Sequence, residues 1–412
     1  MKYLKQFSLF ESTEEIPLKK SQLAFLNKHL NGVKWTWNWE TNSVDVEGDV
    51  RIEEEGRFSK TRNLPVQFGV VTGEFSLYRM NLISLKGSPR IVGGGFSCVS
   101  CNLTSLEGGP VEVGDFNCGH NRITSLLGAP RKVLKGRFCC YSNQLTSLEG
   151  APEYVAGYFD CKENLITSLK GISPVIGEHI CFDSNDVTSL MGSPDKVNGN
   201  FSFYNNKVTS LEGGPREVKG KFQCDNNMLT SLKGAPRIVG KSFSCPDNYI
   251  TSLTESPDEI GGSFDCDGNK LFTLEGAPRK VSGNFDCQRN HIISLAGIPQ
   301  IIGGDLKIDD KIKSLDGLSP EHLPKTIIFV DRNGHFTKPP LELRNSKEII
   351  EVLKFKIFRN FFEKNADIML GKFGSEDISI IRKRYPTLWK RLTNKIDKEA
   401  FNTAADLGEL GF

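Results

Sequence analysis

Apolar positions recur along most of the chain with a period of about 21 residues. The leucine of a Thr-Ser-Leu triplet, or of a close variant, marks the period. It occurs at Leu85, Leu106, Leu126, Leu148, Leu169, Leu190, Leu211, Leu232, Leu253, Leu274, Leu295 and Leu315. Each repeat reads approximately F-x-C-x-x-N-x-[LIV]-T-S-L-x-G-x-P-x-x-V-x-G-x. A fixed period of this length predicts an array of stacked units that each contact their neighbours.

The F-x-C segment predicts one short β-strand in every repeat. Its side chains alternate between two faces, as they do in a strand. The Gly-x-Pro segment that follows cannot continue a helix or a hydrogen-bonded ladder. One strand per repeat, always in the same direction, predicts a parallel sheet. The residues between strands are too few and too rich in Gly and Pro for a helix, so that side is predicted to be extended or turn-like.

The two ends of the chain depart from the period and predict caps. Residues 17–32 show helical spacing, and the alternation of Trp35, Trp37 and Trp39 predicts a hairpin whose tryptophans cover the first repeat. After residue 336 the spacing is again helical, with Ser346 and Ser375 as helix starts. The predicted organisation is a leader or docking segment (1–16), a helix and β-hairpin cap (17–69), a solenoid (70–335) and a C-terminal helical cap (336–412) with a short acidic-apolar tail.

The repeat resembles a known family. The frame V-x-x-x-F-x-C-x-x-N-x-L-T-S-L resembles the leucine-rich repeat and is most similar to its short bacterial class, which reads N-x-L-T-x-L-P-x-L-P. Phe-x-Cys and Gly-x-Pro stand where that class has Leu-x-Val and Leu-Pro. The resemblance covers residues 70–320 and implies a β-rich repeat solenoid, a curved parallel sheet of about twelve 21-residue repeats. The chain as a whole resembles leucine-rich repeat proteins of large tailed phages.

Cysteine and asparagine occupy two fixed positions of the repeat. The cysteines of the repeated position are Cys98, Cys118, Cys140, Cys161, Cys224, Cys245, Cys266 and Cys287. Phe182 and Phe203 replace them in two repeats, so the position is apolar core, and free thiols in such number predict a reducing, cytoplasmic environment. Cys139 and Cys181 lie outside it and are predicted to be exposed. The asparagines are Asn121, Asn143, Asn164, Asn185, Asn206, Asn227, Asn248, Asn269 and Asn290, and we expect their amides to bind backbone groups.

Recognition is expected at the variable positions beside the core residues of each strand. The predicted contact residues on the concave face are Tyr141, Tyr158, His179 and Tyr204 as an aromatic patch, and Asp225, Asp265, Asp267 and Asp286 as an acidic stripe. A solvated polar face without a partner is the alternative interpretation.

The N-terminal segment carries two short resemblances. Gln6, Phe7, Leu9 and Phe10 belong to a pentapeptide that is similar to those that dock bacterial proteins on the replication clamp. Leu9-Phe10-Glu11 resembles the hydrophobic-x-Glu site at the end of leader peptides of phage head proteins. A segment that packs on the cap is the third possibility.

Composition and residue spacing favour a binding function over catalysis or membrane insertion. The net charge of +2 predicts no general attraction to nucleic acid, and no apolar run is long enough to span a membrane. The six histidines form no metal-ligand spacing or catalytic triad, so no metal, cofactor or enzymatic activity is expected. A solenoid that selects substrates for a ubiquitin ligase needs a catalytic cysteine, and residues 321–412 contain none. The sequence therefore predicts a non-enzymatic module that binds a protein partner, with a virion-associated protein as the alternative.

Overall fold

The computed structural model describes residues 16–53, 62–78, 80–331, 335–337, 341–343, 352–353 and 355–393. The chain divides into two compact units, residues 1–158 and 159–412. Within the described residues, no helix is both long and apolar enough to cross a membrane.

The described residues of the first unit form helix α1 (Lys20–His29), followed by ten strands. They are β1 (Lys34–Asn38), β2 (Ser43–Glu47), β3 (Val50–Glu53), β4 (Phe68–Val71), β5 (Phe75–Tyr78), β6 (Ile91–Ser97), β7 (Glu112–Asn117), β8 (Lys132–Val133), β9 (Phe138–Cys139) and β10 (Tyr154–Val155). Strands β1 and β2 form the predicted antiparallel hairpin. Strands β2 and β3 then pair in parallel with β4 and β5, because Val44, Val46, Val50 and Ile52 supply the same buried apolar alternation as a repeat. The solenoid pairing thus begins before residue 70.

The tryptophans of the hairpin lie at the edge of this unit. Trp35 and Trp37 are half-buried, and Trp39 is 42% exposed and packs edge-on against Trp37. Strand β1 has only β2 as a neighbour among the described strands, so β1 is an edge strand. The prediction that the tryptophans form the core of the cap therefore does not hold for Trp39, whose side chain is exposed.

The second unit contains two parallel ladders. The first comprises β11 (Phe159–Asp160), β12 (Ile180–Cys181), β14 (Phe201–Ser202), β16 (Phe222–Gln223), β18 (Phe243–Ser244), β20 (Phe264–Asp265), β22 (Phe285–Asp286), β24 (Leu306–Asp309) and β25 (Thr326–Val330), to which β26 (Leu341–Glu342) adds an antiparallel edge. The second comprises β13 (Lys196–Val197), β15 (Glu217–Val218), β17 (Ile238–Val239), β19 (Glu259–Ile260), β21 (Lys280–Val281) and β23 (Ile301–Ile302). The predicted β-rich parallel solenoid with an extended opposite side is confirmed.

Equivalent side chains stack between the two ladders. Phe222 is fully buried, with ring centroids 5.8 Å from Phe201 and 5.0 Å from Phe243. All twelve leucines of the Thr-Ser-Leu position are at most 1% exposed. The corner before the proline favours glycine: Gly234 has a φ of +86°, and a Cβ there would lie 2.5 Å from the Glu212 nitrogen. Glu255 occupies the equivalent corner of the next repeat, with a φ of +72°.

Every cysteine of the chain is free and buried. The thiols of the repeated position donate to the carbonyl of the next strand, as Cys224 Sγ does to Ser244 O at 3.2 Å and Cys245 Sγ to Asp265 O at 3.3 Å. Burial raises the pKa of both thiols well above its ordinary value. The prediction of exposed thiols is wrong for Cys139 and Cys181, which are 3% and 7% exposed.

The asparagines form a hydrogen-bonded ladder that joins successive repeats. Asn248 Nδ2 donates to Cys224 O of the preceding repeat at 3.0 Å, to Cys245 O at 3.2 Å and to Pro246 O at 3.1 Å. Its Oδ1 accepts from the Leu229 nitrogen at 3.0 Å. One buried amide therefore satisfies four backbone groups, which accounts for the recurrence of asparagine at this position.

In the described part of the second unit, four helices follow the last strands. They are α2 (Lys356–Lys364), α3 (Ala366–Leu370), α4 (Ser375–Arg384) and α5 (Pro386–Thr393). Helix α4 begins at Ser375 as predicted, whereas the predicted start at Ser346 lies outside the described residues. Phe358, Phe361 and Phe362 of α2 are buried, and Lys364 Nζ lies 2.5 Å from Asp316 Oδ2 of the last repeat.

Candidate functional site

Two side chains per repeat project from the first ladder on the side opposite the core. They are the residue between Phe and Cys and the residue after Cys, because side chains alternate along a strand. In the second unit we call this set the strand face. It comprises Asp160, Lys162, Cys181, Asp183, Ser202, Tyr204, Gln223, Asp225, Ser244, Pro246, Asp265, Asp267, Asp286, Gln288, Lys307 and Asp309.

Much of the strand face is less exposed than an open polar surface. Neighbouring strands lie about 4.8 Å apart, so each side chain is covered by its equivalents in the adjacent repeats. Asp160, Asp183 and Asp286 are all buried, and Asp225 and Asp265 are half-buried. In the predicted acidic stripe, Asp265, Asp267 and Asp286 lie on adjacent strands, whereas Asp225 lies two strands before Asp265.

Asp183 is held by three donors. Its Oδ2 accepts from the Cys181 thiol at 2.9 Å, and its Oδ1 accepts from the Ser202 hydroxyl at 2.6 Å and the Tyr204 nitrogen at 3.0 Å. Burial raises the pKa of Asp183, and these hydrogen bonds oppose the rise. Burial and then the Asp183 charge raise the pKa of the Cys181 thiol. The thiol is thus a protonated donor in this arrangement, not an activated nucleophile.

The carboxylates of the later repeats are unevenly compensated by basic side chains. Burial, and next the neighbouring Asp286, raise the pKa of Asp265 to about 7. Burial also raises the pKa of Asp286, although Lys307 Nζ lies 3.2 Å from its Oδ2 and lowers it. Asp225 Oδ1 is buried without a hydrogen-bond partner among the described residues. These groups favour the approach of a cation.

The strand face carries an excess of negative charge. The set contains seven aspartates and two lysines, Lys162 and Lys307. With the adjoining Arg289 counted as a third positive charge, carboxylates exceed basic side chains by four. Arg289 Nε donates to Asp267 Oδ1 at 2.8 Å, and its guanidinium lies 3.2 Å from Asp247 Oδ1. Among the described residues, no group of three or more His, Cys, Asp or Glu side chains is arranged to hold a metal ion.

We expect Asp265→Asn to stabilise the protein at high pH. Asp265 has a higher pKa in the folded state than its ordinary value of 3.8, so the folded state binds more protons and unfolding becomes easier as the pH rises from about 4 to about 7. Asparagine does not ionise, so above pH ~7 the free energy of unfolding of the variant should exceed that of the wild type by about 2 kcal/mol. This is roughly half of the energy that corresponds to the full pKa shift, because solvent screens a carboxyl that is only partly buried. Near pH ~4 the difference should vanish.

Urea unfolding at the two pH values measures this effect. Asp195→Asn is the matched control, because Asp195 is exposed and lies beside the second ladder, 3.2 Å from Arg216. An equal pH trend in both variants would contradict the role of Asp265.

The predicted aromatic residues occupy different environments. In the first unit, Tyr141 is half-buried, with its ring over Gly119 and edge-on to His120 at 5.1 Å, and Tyr158 is half-buried. In the second unit, Tyr204 is 38% exposed, whereas His179 Nδ1 accepts from the Asn200 nitrogen at 2.7 Å. His179 therefore supports the adjacent strand.

An exposed apolar edge lies beside the asparagine ladder and was missed in the sequence. It consists of Met228, Tyr249, Phe272 and Ile293, which range from 47% exposed at Met228 to 66% at Phe272. Phe272 also contacts the ring of His291 at 5.1 Å. These residues occupy the first and third positions after the repeated asparagine, where most repeats have polar residues. Apolar residues at positions that are polar in most repeats were therefore the sequence signal for this exposed edge.

The predicted docking residues Gln6, Phe7, Leu9, Phe10 and Glu11 lie outside the described residues.

Comparison with known proteins gives a distant structural likeness. Neither a family model nor the sequence of a curated protein matches the chain. The solved structure of YopM from Yersinia enterocolitica WA-314 is similar with a TM-score of 0.47 and 17% sequence identity, over 68% of this chain and 65% of YopM. The assignment of a leucine-rich-repeat-like solenoid rests on the ladders described above.

Proposed function

We propose that this protein is a non-enzymatic interaction module whose strand face binds a basic segment of a protein partner. The observation that carries the proposal is the excess of four carboxylates on closely packed strands, with Asp265 titrating near neutral pH because of burial beside Asp286. A lysine or arginine of a partner would compensate these charges at a surface where solvent does so only partly.

The apolar edge extends this surface. Tyr249 follows Asn248 and Asp247 directly in the chain, so the edge adjoins the rim of the strand face in the same repeats. Tyr249 and Phe272 are exposed, and aromatic residues of these types are enriched in protein interfaces. The partner that fits is therefore a segment with basic residues flanked by apolar ones.

Selection from a random peptide library displayed against the intact chain tests the proposal. We expect the enriched peptides to contain Lys or Arg together with aromatic or aliphatic residues. The double variant Asp225→Asn/Asp265→Asn should bind a selected peptide at least about tenfold more weakly, because each charge-assisted contact contributes about 1.5–3 kcal/mol.

The matched control is Asp195→Asn/Asp258→Asn, which removes the same charge from exposed positions beside the second ladder. Equal weakening by the control would show a general charge effect and contradict the proposed surface. Enrichment of peptides without basic residues would contradict the proposed partner.

The phage, head-leader and clamp-docking hypotheses remain predictions of the sequence. The leader and docking hypotheses rest on residues 1–15, which the structure does not describe. A cytoplasmic location and the absence of enzymatic activity are likewise parts of the proposal.

A further inference from the structure

A cleft lies between helices α2, α4 and α5, remote in sequence from the strand face. Its volume is about 370 Å³, and residues from the three elements line it. Helix α5 packs against both α2 and α4, and Arg391 Nη1 of α5 lies 3.3 Å from Glu363 Oε2 of α2. The cleft is thus formed by helices that contact one another.

Positive charge converges on this cleft. Lys356 and Arg359 line it from α2, Arg384 from the end of α4 and Arg391 from α5, and Glu363 is the one acidic residue of the lining. Residues 355–393 contain nine Lys and Arg against four Asp and Glu, a net charge of +5, whereas the whole chain has +2. The remainder of the chain is therefore negative, and the charge of the helical region is a local property.

The side chains of the cleft differ in how they are fixed. Arg359 is half-buried, and its Nη1 donates to Leu353 O at 3.0 Å, which orients the guanidinium. Lys356, Arg384 and Arg391 are exposed and extend the positive surface outward. Glu363 pairs with Arg391, so the four basic residues and one acidic residue of the lining leave a net charge of +3, which favours the binding of an anion.

We propose that this cleft binds the phosphoryl group of a phosphate monoester. A phosphoryl group carries close to two negative charges and three acceptor oxygens, which suits several planar guanidinium groups better than a single carboxylate does. The cleft is larger than a phosphoryl group, and Tyr385, Asn360 and Leu388 also line it. These residues provide a ring, an amide and an apolar contact for the organic part of the ester.

Calorimetric titration of the full chain with adenosine 5′-monophosphate, inorganic phosphate and adenosine tests the proposal. We expect saturable binding of the monophosphate, competition by phosphate and no binding of adenosine alone. If inorganic phosphate binds as tightly as the monophosphate, the result supports a phosphoryl-binding cleft whose ligand is the free anion. Absence of saturable binding of both, or binding of adenosine as tight as that of the monophosphate, overturns the proposal.

Substitution separates the cleft from general surface charge. Arg384→Gln should weaken monophosphate binding at least about tenfold, since a charge-assisted hydrogen bond contributes about 1.5–3 kcal/mol. Lys383→Gln is the control, because Lys383 is the exposed neighbour on the same helix and does not line the cleft. If both variants weaken monophosphate binding equally and their melting temperatures are unchanged, the cleft is not a specific binding site. Because Arg384 is exposed, both variants should fold.

Discussion

Asn248→Asp is expected to lower the free energy of unfolding by about 4 kcal/mol at neutral pH. The two side chains have the same shape, and the carboxylate can still accept from the Leu229 nitrogen. It cannot donate to Cys224 O, Cys245 O or Pro246 O, which the Asn248 amide now satisfies. Three buried carbonyls would instead face a buried negative charge, which is among the most costly changes a protein interior can undergo.

Chemical denaturation followed by circular dichroism measures this loss. The control is Asn205→Asp, at an exposed position of the same type of turn, where the change should cost less than about 1 kcal/mol. Acid should partly rescue Asn248→Asp, because a protonated carboxyl can donate one of the three hydrogen bonds. If the two variants unfold at the same denaturant concentration, the amide does not join the repeats as described.

Phe222→Ala should lower the free energy of unfolding by about 3–5 kcal/mol. The Phe222 ring is fully buried and packs against Phe201, Phe243 and, edge-on, Phe203. Removal of the ring leaves a cavity that the neighbouring rings cannot fill, since each is held by its own repeat. Phe222→Leu keeps most of the volume and should cost about 1.5 kcal/mol.

Native-state hydrogen exchange shows how far the damage extends. Because repeats contact mainly their neighbours, protection should fall in the strands next to Phe222 and remain near β24 and β25. A uniform loss of protection throughout the unit would indicate one cooperative block instead of coupled repeats.

The repeat period determined the core but not the outward surface. Phe, Cys, Asn and Leu positions recur every 21 residues, so their burial follows from the period and from strand alternation alone. The burial of Cys181 does not, because it depends on Asp183, which accepts from its thiol, and on Ser202, its partner in the next strand. The sequence does not show how closely neighbouring outward side chains pack. An outward position such as that of Cys181 is therefore predicted to be exposed.

The candidate surfaces were predictable to different degrees. The acidic residues of the strand face were evident at the variable positions, although their mutual burial and the raised pKa of Asp265 depend on packing across strands. The basic cleft was not evident, because Arg359, Arg384 and Arg391 come together only when three helices pack. Charges spread over residues 355–393 could equally have covered separate solvated faces.

The asparagine ladder has a consequence for how the length of such a chain can change. From Asn185 to Asn290, each amide donates to a carbonyl 24 residues earlier and accepts from a nitrogen 19 residues earlier. Loss of residues 225–245 would join Cys224 to Pro246 and restore the F-x-C-x-x-N frame with equivalent partners. Whole repeats can thus be duplicated or deleted in the gene without a change in fold, and each such event would bring a different pair of outward side chains together.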